Sequence, residues 1–328
     1  MENFNRIIFW LKAARVHTMP MSFMSWLVVF CWSYSIGGDF FYGILALIGI
    51  MSAHMGVNLV DDYFDYKEEL KEQKFQNDPQ SITMQKGKCK YMIEGKATLE
   101  QTFRALSVFF AIAIFIGIFL AFKCGWQVLL IAFVASLFCA FYPFLTYRGL
   151  GEIAVGMTFA PLLFMGTSFV MLGGFSSDIL LLSISTGLLT VGLLHTHALM
   201  DYDFDVKNNK KTLCTLLKSK EKALVALGIM MAGAYLNIIL GIFTNKFPAS
   251  TAITLISAPL AVVLYKSMSL TIQDPNTSLP KKFWMGPMEH WEEIKANNAH
   301  NFMLNFYLSR NIMMFFTILL CISLLTGY

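Results

Sequence analysis

The sequence predicts an all-α membrane protein, a polytopic bundle of about nine transmembrane helices with loops that cap it on the cytoplasmic side. Hydrophobic residues make up 56% of the chain and charged residues only 14%, whereas a soluble protein carries about a quarter charged residues. The apolar residues also fall in long stretches separated by charged loops. These two observations exclude a soluble globular protein, and we expect membrane lipid but no nucleic acid among the partners.

The chain begins with a short amphipathic segment, residues 1–17. Ile8 and Leu11 fall on one side of a helix drawn through it, and Arg6 and Lys12 fall on the other. This pattern predicts a helix that lies in the membrane interface. Because no small-residue cleavage site follows, a removable signal peptide is not indicated.

Nine apolar stretches of at least seventeen residues follow, each long enough to cross a hydrocarbon core. We predict spans at 18–36, 41–60, 103–123, 125–145, 152–173, 178–199, 222–243, 249–267 and 310–326. The weakest of these is 125–145, because Pro143 lies near its end. No soluble domain boundary interrupts the pattern, so we predict a single domain over residues 1–328.

The distribution of basic residues predicts the orientation. Of the 25 Lys and Arg residues, only Lys123 and Lys246 fall on the other side of the predicted membrane from the rest. Basic residues are retained in the cytoplasm, so this bias places the N-terminus there. The long loops 61–102 and 268–309 then face the cytoplasm too, and we expect them to act as lids.

The six cysteines are scattered and form no CxxC pair. They predict apolar fillers or free thiols, and neither a disulfide framework nor a zinc site.

Two acidic clusters end predicted spans on the same face of the membrane. The first is Asn58-Leu-Val-Asp-Asp-Tyr-Phe-Asp-Tyr-Lys-Glu-Glu69, and the second is Asp201-Tyr-Asp-Phe-Asp205. Steps of four residues place their carboxylates on one face of a helix. Grouped oxygen ligands suit Mg²⁺, so we predict a site formed by Asp61, Asp62, Asp65, Glu69, Asp201 and Asp205. The alternative, that acidic residues merely solvate helix ends, fits one cluster better than two.

Lysines accompany both clusters: Lys67 lies near the end of the first, and Lys207, Lys210 and Lys211 follow the second. Cations of this kind, together with Mg²⁺, hold a diphosphate. A prenyl diphosphate matches the surroundings, because its head needs these charges and its tail needs apolar walls or lipid. Departure of the diphosphate leaves an allylic cation, which aromatic rings could shield. The candidates are Tyr63, Phe64, Tyr66, Tyr142 and Tyr147, and a membrane-interface belt is the alternative for each.

The first cluster resembles the NDxxDxxxD motif of the UbiA superfamily of intramembrane aromatic prenyltransferases, and the second resembles its DxxxD motif. Lys210, Thr212 and Leu213 match a G-K-x-T-L tail in which Asn209 replaces the glycine. Within the superfamily, the segment Tyr142-Pro-Phe-Leu-Thr-Tyr-Arg-Gly-Leu-Gly-Glu152 is similar to the MenA branch, the 1,4-dihydroxy-2-naphthoate prenyltransferases. So is Arg15-Val-His-Thr-Met-Pro20. The likeness covers roughly residues 7–245.

This resemblance implies Mg²⁺-dependent transfer of a polyprenyl group from polyprenyl diphosphate to 1,4-dihydroxy-2-naphthoate, giving demethylmenaquinone. It implies a bacterial cytoplasmic membrane, with the active site on the cytoplasmic side. The acidic residues expected to be catalytic are Asp62, Asp65, Asp201 and Asp205. The residues expected to bind substrate are Asn58, Lys67, Tyr147, Arg148, Lys207 and Lys210. Glu152 is expected to orient Arg148 or to serve the acceptor hydroxyl.

The chain departs from the family pattern at several positions. Asp61 stands where Asn is usual and Glu69 where Asp is usual, Met200 replaces an Arg, and His195 and His197 replace Asn. These changes leave the acceptor open, so 4-hydroxybenzoate, haem or another phenol remains an alternative. A membrane transporter is an alternative of another class. It would carry its acidic residues at mid-membrane depth, whereas these acidic clusters lie at one face of the membrane. A soluble-type prenyl synthase conflicts with the nine spans, and loss of the Arg leaves an inactive homologue as an alternative.

Overall fold

A computed structural model describes residues 2–72, 89–274, 277, 279–297 and 299–327, and all regular structure in these residues is helical. The predicted all-α fold class is therefore confirmed. The helices are α1 Glu2–Ala13, α2 Pro20–Ser35, α3 Phe40–Glu72, α4 Lys90–Ile93, α5 Leu99–Cys124, α6 Gln127–Ala140, α7 Tyr142–Tyr147, α8 Gly151–Leu172, α9 Ser177–Met200, α10 Tyr202–Lys207, α11 Leu213–Leu216, α12 Lys220–Phe243, α13 Ala249–Gln273, α14 Trp291–Ala296 and α15 His300–Gly327.

The chain forms two compact units. The first comprises Met1–Phe23 and Ile44–Leu129, and its core contains the buried side chains of Ala13, Ala14, Leu59 and Leu106. The second comprises Met24–Gly43 and Leu130–Tyr328. Large side chains of this unit are fully buried, among them Phe164, Leu189, Ile238, Leu308 and Phe316. The single domain expected over residues 1–328 stays a prediction.

Seven helices in the described part of the chain are long and apolar enough to cross a membrane. They are Phe40–Lys67 within α3, and α5, α8, α9, α12, α13 and α15. Each overlaps a predicted span. The two remaining predictions, 18–36 and 125–145, are occupied by the shorter helices α2, with 16 residues, and α6, with 14 residues. The count of nine is therefore not confirmed.

Prolines mark the irregular places in two of these helical stretches. The predicted span 125–145 is divided, because α6 ends at Ala140 and α7 begins at Tyr142 with Pro143 in its first turn. A proline has no N–H to donate, and the first turn of a helix is the position that tolerates this loss. Helix α8 instead continues past Pro161 through a π-helical turn, Thr158–Leu162. Such a turn accommodates a local break in the hydrogen-bond ladder.

Both predicted cytoplasmic loops are shorter than the sequence indicated. Helix α3 runs without interruption to Glu72, so the first acidic cluster lies in the helix itself. Helix α13 extends to Gln273, and α15 begins at His300. Between them, Met285–Glu289 is held against α15 by the side chains of Tyr307, Arg310 and Asn311. The Asn311 amide, for example, donates to the Met285 carbonyl at 2.9 Å. A lid function for either loop stays a prediction.

Cysteine labelling will test the predicted orientation. Lys90 and Lys246 carry partly exposed side chains, 64% and 45% accessible, and the charge bias puts them on opposite sides of the membrane. In a background with Cys124 and Cys139 changed to Ser, a membrane-impermeant maleimide should label Lys90→Cys only in inside-out vesicles. It should label Lys246→Cys only in right-side-out vesicles. Labelling of both from one side would contradict the topology.

Candidate functional site

The first acidic cluster surrounds a buried carboxylate. Asp62 on α3 is only 1% exposed, whereas Asp61 is partly exposed. A buried charge is costly unless it is paired, and Arg15 supplies a partner. One guanidinium nitrogen of Arg15 contacts Asp62 Oδ1 and also lies 3.2 Å from Asp61 Oδ2. The cluster therefore contains its own fixed cation, which is not among the residues predicted for the site.

A tight turn places Arg15 beside these carboxylates. The residue follows α1 and adopts the left-handed backbone conformation, with φ 57° and ψ 50°, which costs an L-residue about 1–2 kcal/mol. Asn58 supports the turn, because its side-chain amide donates to the Ala14 carbonyl at 2.9 Å and to Thr18 Oγ1 at 3.2 Å. Asn58, predicted to bind substrate, thus positions Arg15. The Arg15–Pro20 stretch was the sequence signal that could have identified this guanidinium.

The electrostatics of this region keep Arg15 charged. Burial lowers the pKa of Arg15, but the charges of Asp62 and Asp61 and their hydrogen bonds outweigh it and raise the pKa overall. Burial and the nearby Asp62 charge also raise the pKa of Tyr91, so its phenol stays protonated. The Cys89 thiol donates to the Asp62 carbonyl at 3.2 Å. A permanent positive charge next to several carboxylates suits a ligand that brings both metal cations and anionic oxygens.

The other predicted residues of this cluster are less buried than Asp62 or lie outside the described residues. The Lys67 ammonium lies 5.8 Å from the centroid of the Tyr63 ring, within range of a cation–π contact. Asp65 is partly buried on the same helix. The side chain of Glu69 lies outside the described residues.

The second cluster keeps a helical register across the end of α9. The Asp201 N–H donates to the His197 carbonyl at 3.0 Å, and the Asp205 N–H donates to the Asp201 carbonyl at 2.8 Å. Side chains four residues apart on such a backbone lie above one another. His197, Asp201 and Asp205 therefore share one face. Asp203 lies on a different face, where Lys220 pairs with it at 2.6 Å.

Asp205 is fully buried, and Lys210 pairs with one of its oxygens, Oδ1, at 3.0 Å. The other oxygen, Oδ2, has no hydrogen-bond partner among the described residues. The pKa of Asp201 is raised by burial and then by the charge of Asp205, while Lys210 lowers it. A buried oxygen without a partner and two carboxylates that repel one another are the features that a divalent cation would relieve.

These donors fit Mg²⁺, but the metal site itself stays a prediction. In the described parts of the chain, no group of three or more His, Cys, Asp and Glu residues lies close enough to hold a metal ion. The fit depends instead on the chemistry of the donors, since carboxylate oxygens are the ligands that Mg²⁺ prefers.

The remaining predicted residues lie around the segment Tyr142–Glu152 and the end of α10. Glu152 was expected to orient Arg148 or to serve the acceptor hydroxyl. In the structure its carboxylate accepts a hydrogen bond from the Leu213 N–H at 3.1 Å. The exposed Arg148 guanidinium instead lies over the Phe144 ring, 4.1 Å from its centroid. Lys207 is exposed at the end of α10. The side chain of Tyr147 lies outside the described residues.

The two histidines that depart from the family pattern have different surroundings. His195 is fully buried, and its Nε2 lies 2.8 Å from the Ala223 carbonyl. Because a carbonyl can only accept, Nε2 must carry the proton. His197 packs its ring against Phe306 with centroids 4.7 Å apart, and its buried Nε2 has no hydrogen-bond partner among the described residues. His195 is thus a structural residue, whereas His197 keeps a nitrogen available on the face of Asp201.

A third departure is explained by backbone conformation. Asn209 replaces a glycine and has φ 54°, in the left-handed region. Asn is the residue that tolerates this conformation best after glycine. The turn before Lys210 is therefore preserved.

Comparison with solved structures shows the fold. Digeranylgeranylglyceryl phosphate synthase has a TM-score of 0.64 at 15% identity, with 98% of this chain and 99% of that chain covered. A UbiA homologue from Aeropyrum pernix K1 has a TM-score of 0.58 at 15% identity, covering 89% and 98%. A UbiA homologue from Archaeoglobus fulgidus bound to GPP and Mg²⁺ has a TM-score of 0.52 at 13% identity, covering 95% and 99%.

Sequence comparison gives the family. A search of curated proteins finds no significant match. The profile of the UbiA prenyltransferase family, by contrast, matches residues 21–291, which is most of the chain and includes both acidic clusters. The chain therefore belongs to the UbiA prenyltransferase family and is an integral membrane prenyltransferase.

Proposed function

We propose that this prenyltransferase transfers a polyprenyl group from polyprenyl diphosphate to an aromatic acceptor, 1,4-dihydroxy-2-naphthoate, and so forms demethylmenaquinol, the reduced form of demethylmenaquinone. One observation carries the proposal: each acidic cluster pairs a buried carboxylate with a basic side chain, Asp62 with Arg15 and Asp205 with Lys210. Such pairs suit a ligand that brings both anionic oxygens and divalent cations. The GPP and Mg²⁺ bound to the Archaeoglobus homologue support this choice of ligand.

We assign the diphosphate to the acidic and basic residues. Asp61, Asp62, Asp65, Glu69, Asp201 and Asp205 would hold Mg²⁺. When bound, Mg²⁺ neutralises charge that develops on the departing diphosphate. Lys67, Lys207, Lys210 and Arg15 would donate to the diphosphate oxygens, because charge-assisted hydrogen bonds to phosphate are strong and directional. The active site faces the cytoplasm in this proposal.

We assign the acceptor to the face of α9 below Asp201. His197 lies four residues, or about 6 Å, deeper than Asp201 along the helix. Its Nε2 would hydrogen-bond the acceptor hydroxyl. Arg148 and Tyr147 are our candidates for the acceptor carboxylate. The ring carbon that bears this carboxylate attacks the allylic carbon as the bond to diphosphate breaks. Loss of CO₂ then restores the aromatic ring.

Product analysis tests the proposal. Purified protein in lipid nanodiscs with Mg²⁺ should be offered geranyl and longer prenyl diphosphates, each with 1,4-dihydroxy-2-naphthoate or 4-hydroxybenzoate. Mass spectrometry should find a prenylated, decarboxylated product from the naphthoate. Product from 4-hydroxybenzoate alone would show that the acceptor is wrong.

Substitution of His197 tests the acceptor contact. His197→Phe keeps an aromatic ring but removes the nitrogen. The KM for the acceptor should rise about tenfold, as expected for loss of one buried hydrogen bond, with the KM for geranyl diphosphate within twofold of wild type. His290→Asn is the control, because His290 is exposed and has φ 51°, which Asn tolerates. Equal rises in both KM values would place His197 outside the acceptor contact.

A further inference from the structure

The turn that carries Lys210 is anchored by a buried glutamate from another helix. Glu152, in the first turn of α8, is 8% exposed. Its carboxylate accepts the N–H of Leu213, the first residue of α11, at 3.1 Å. The first N–H groups of a helix have no partner within the helix. Glu152 satisfies one of them from 61 positions away in the chain.

The remaining capping bonds of α11 are local and lead to Lys210. Thr212 and Thr215 cap one another, with the Thr212 N–H donating to Thr215 Oγ1 at 2.8 Å and the Thr215 N–H donating to Thr212 Oγ1 at 3.3 Å. Thr215 Oγ1 also donates to the Lys210 carbonyl at 3.1 Å. The fixed end of α11 thus holds the backbone of Lys210.

Lys210 in turn is held to Asp205 by two contacts. Its N–H donates to the Asp205 carbonyl at 2.8 Å, and its ammonium donates to Asp205 Oδ1 at 3.0 Å. Hydrogen bonds, joined through the Thr212–Leu213 peptide bond, therefore link Glu152 to the buried carboxylate of Asp205.

Close packing at Gly149 supports the same contact independently. Gly149 has φ +75°, and a Cβ at this position would lie 2.5 Å from Leu216 and 3.3 Å from the Thr212 carbonyl. The turn at Gly149 and the first turn of α11 therefore approach so closely that only glycine fits. The segment Tyr142–Glu152 thus contacts α11 in two ways, through the Glu152 hydrogen bond and through the close packing at Gly149.

We propose that Glu152 is a positioning residue for the diphosphate site, acting through α11 to keep Lys210 aligned with Asp205. This proposal rests on the proposed function, because it gives Lys210 and Asp205 their role in binding the diphosphate. Glu152 itself touches neither substrate. Its loss should therefore weaken the binding of prenyl diphosphate and spare that of the aromatic acceptor.

Kinetics of two Glu152 variants test this role. Glu152→Leu keeps a similar side-chain volume but removes the carboxylate oxygen that accepts the Leu213 N–H. Glu152→Gln keeps a carbonyl oxygen for that N–H. With full-length protein in nanodiscs, Glu152→Leu should raise the KM for geranyl diphosphate about tenfold, with the KM for 1,4-dihydroxy-2-naphthoate within twofold of wild type. Glu152→Gln should stay within threefold on both. Glu221→Leu, at an exposed residue in the first turn of α12, is the matched control and should change neither.

The mobility of a spin label beside Lys210 reports the order of this turn independently of enzyme activity. Lys211→Cys, at an exposed residue beside Lys210, can be labelled with a nitroxide after Cys124 and Cys139 are changed to Ser. The label should become more mobile in Glu152→Leu and stay ordered in Glu152→Gln. Unchanged mobility in Glu152→Leu, or equal rises in both KM values, would overturn the proposal.

The kinetic and spin-label measurements distinguish failure of the positioning role of Glu152 from failure of the proposed function. Should wild type turn over no prenyl diphosphate while the label loosens in Glu152→Leu, the proposed function is refuted and the positioning role falls with it. Should wild type be active and Glu152→Leu bind geranyl diphosphate normally, the positioning role alone is overturned.

Discussion

Asp201→Asn should abolish Mg²⁺-dependent prenyl transfer, with a loss of at least about a thousandfold in kcat/KM. The carboxylate of Asp201 has no ion pair or hydrogen bond among the residues that the structure describes. Replacing it with the isosteric Asn therefore breaks no described hydrogen bond or ion pair of the fold. Burial and the charge of Asp205 already raise its pKa. Its charge is thus costly without a bound cation, and we attribute its presence to the metal.

Asp203→Asn is the matched control for this substitution. Asp203 lies two residues along but on a different face, where Lys220 pairs with its exposed side chain at 2.6 Å. An exposed ion pair contributes little to stability, so Asp203→Asn should keep near-normal transfer. Initial rates across a range of Mg²⁺ concentrations will distinguish the two variants. Near-normal turnover by Asp201→Asn would count against the metal assignment.

Arg15→Met should cause the second largest effect, because it removes a cation that pairs with the buried Asp62. Breaking a buried ion pair by removing one partner costs about 3 kcal/mol, and the guanidinium also serves the diphosphate in our proposal. We expect a fall of several degrees in the thermal midpoint and at least a hundredfold loss of transfer, as for removal of one stabilising donor. Because Mg²⁺ could supply positive charge in place of the lost guanidinium, added Mg²⁺ should stabilise Arg15→Met more than wild type.

Arg104→Met is the control for Arg15. Arg104 is 75% exposed and pairs with Glu100 one helical turn away at 2.5 Å, an arrangement that contributes only a few tenths of a kcal/mol. Its thermal midpoint and activity should match wild type. A wild-type thermal midpoint and rate for Arg15→Met would show that the guanidinium supports neither the fold nor the site.

The spacing of residues within one or two helical turns predicted several features of the second cluster. The four-residue step from Asp201 to Asp205 predicted a shared helix face, and the hydrogen bonds of the backbone preserve it. Lys210 was predicted from its place directly after the cluster, and the structure puts its ammonium on Asp205. These features depend on residues within one or two helical turns, where spacing alone determines which side chains can meet.

Contacts between distant segments were beyond sequence reasoning. Arg15 reaches Asp62 across 47 positions, and Glu152 reaches Leu213 across 61. Both contacts depend on backbone turns, with Arg15 at φ 57° and Gly149 at φ 75°. Hydrophobic length was likewise a poor guide at 125–145, because it counts apolar residues across the break between α6 and α7. The orientation of Glu152 toward Leu213 had no sequence signal.

The most direct test of the central claim is a structure of the protein with geranyl diphosphate and Mn²⁺, in which anomalous scattering locates the metal. We propose that both acidic clusters hold one diphosphate, and this proposal has a direct structural consequence. It predicts metal peaks beside a single diphosphate, with Asp62 and Asp201 each bound to a cation directly or through one water. Metal and diphosphate held by one cluster, with the other cluster's carboxylates out of reach of either, would contradict it.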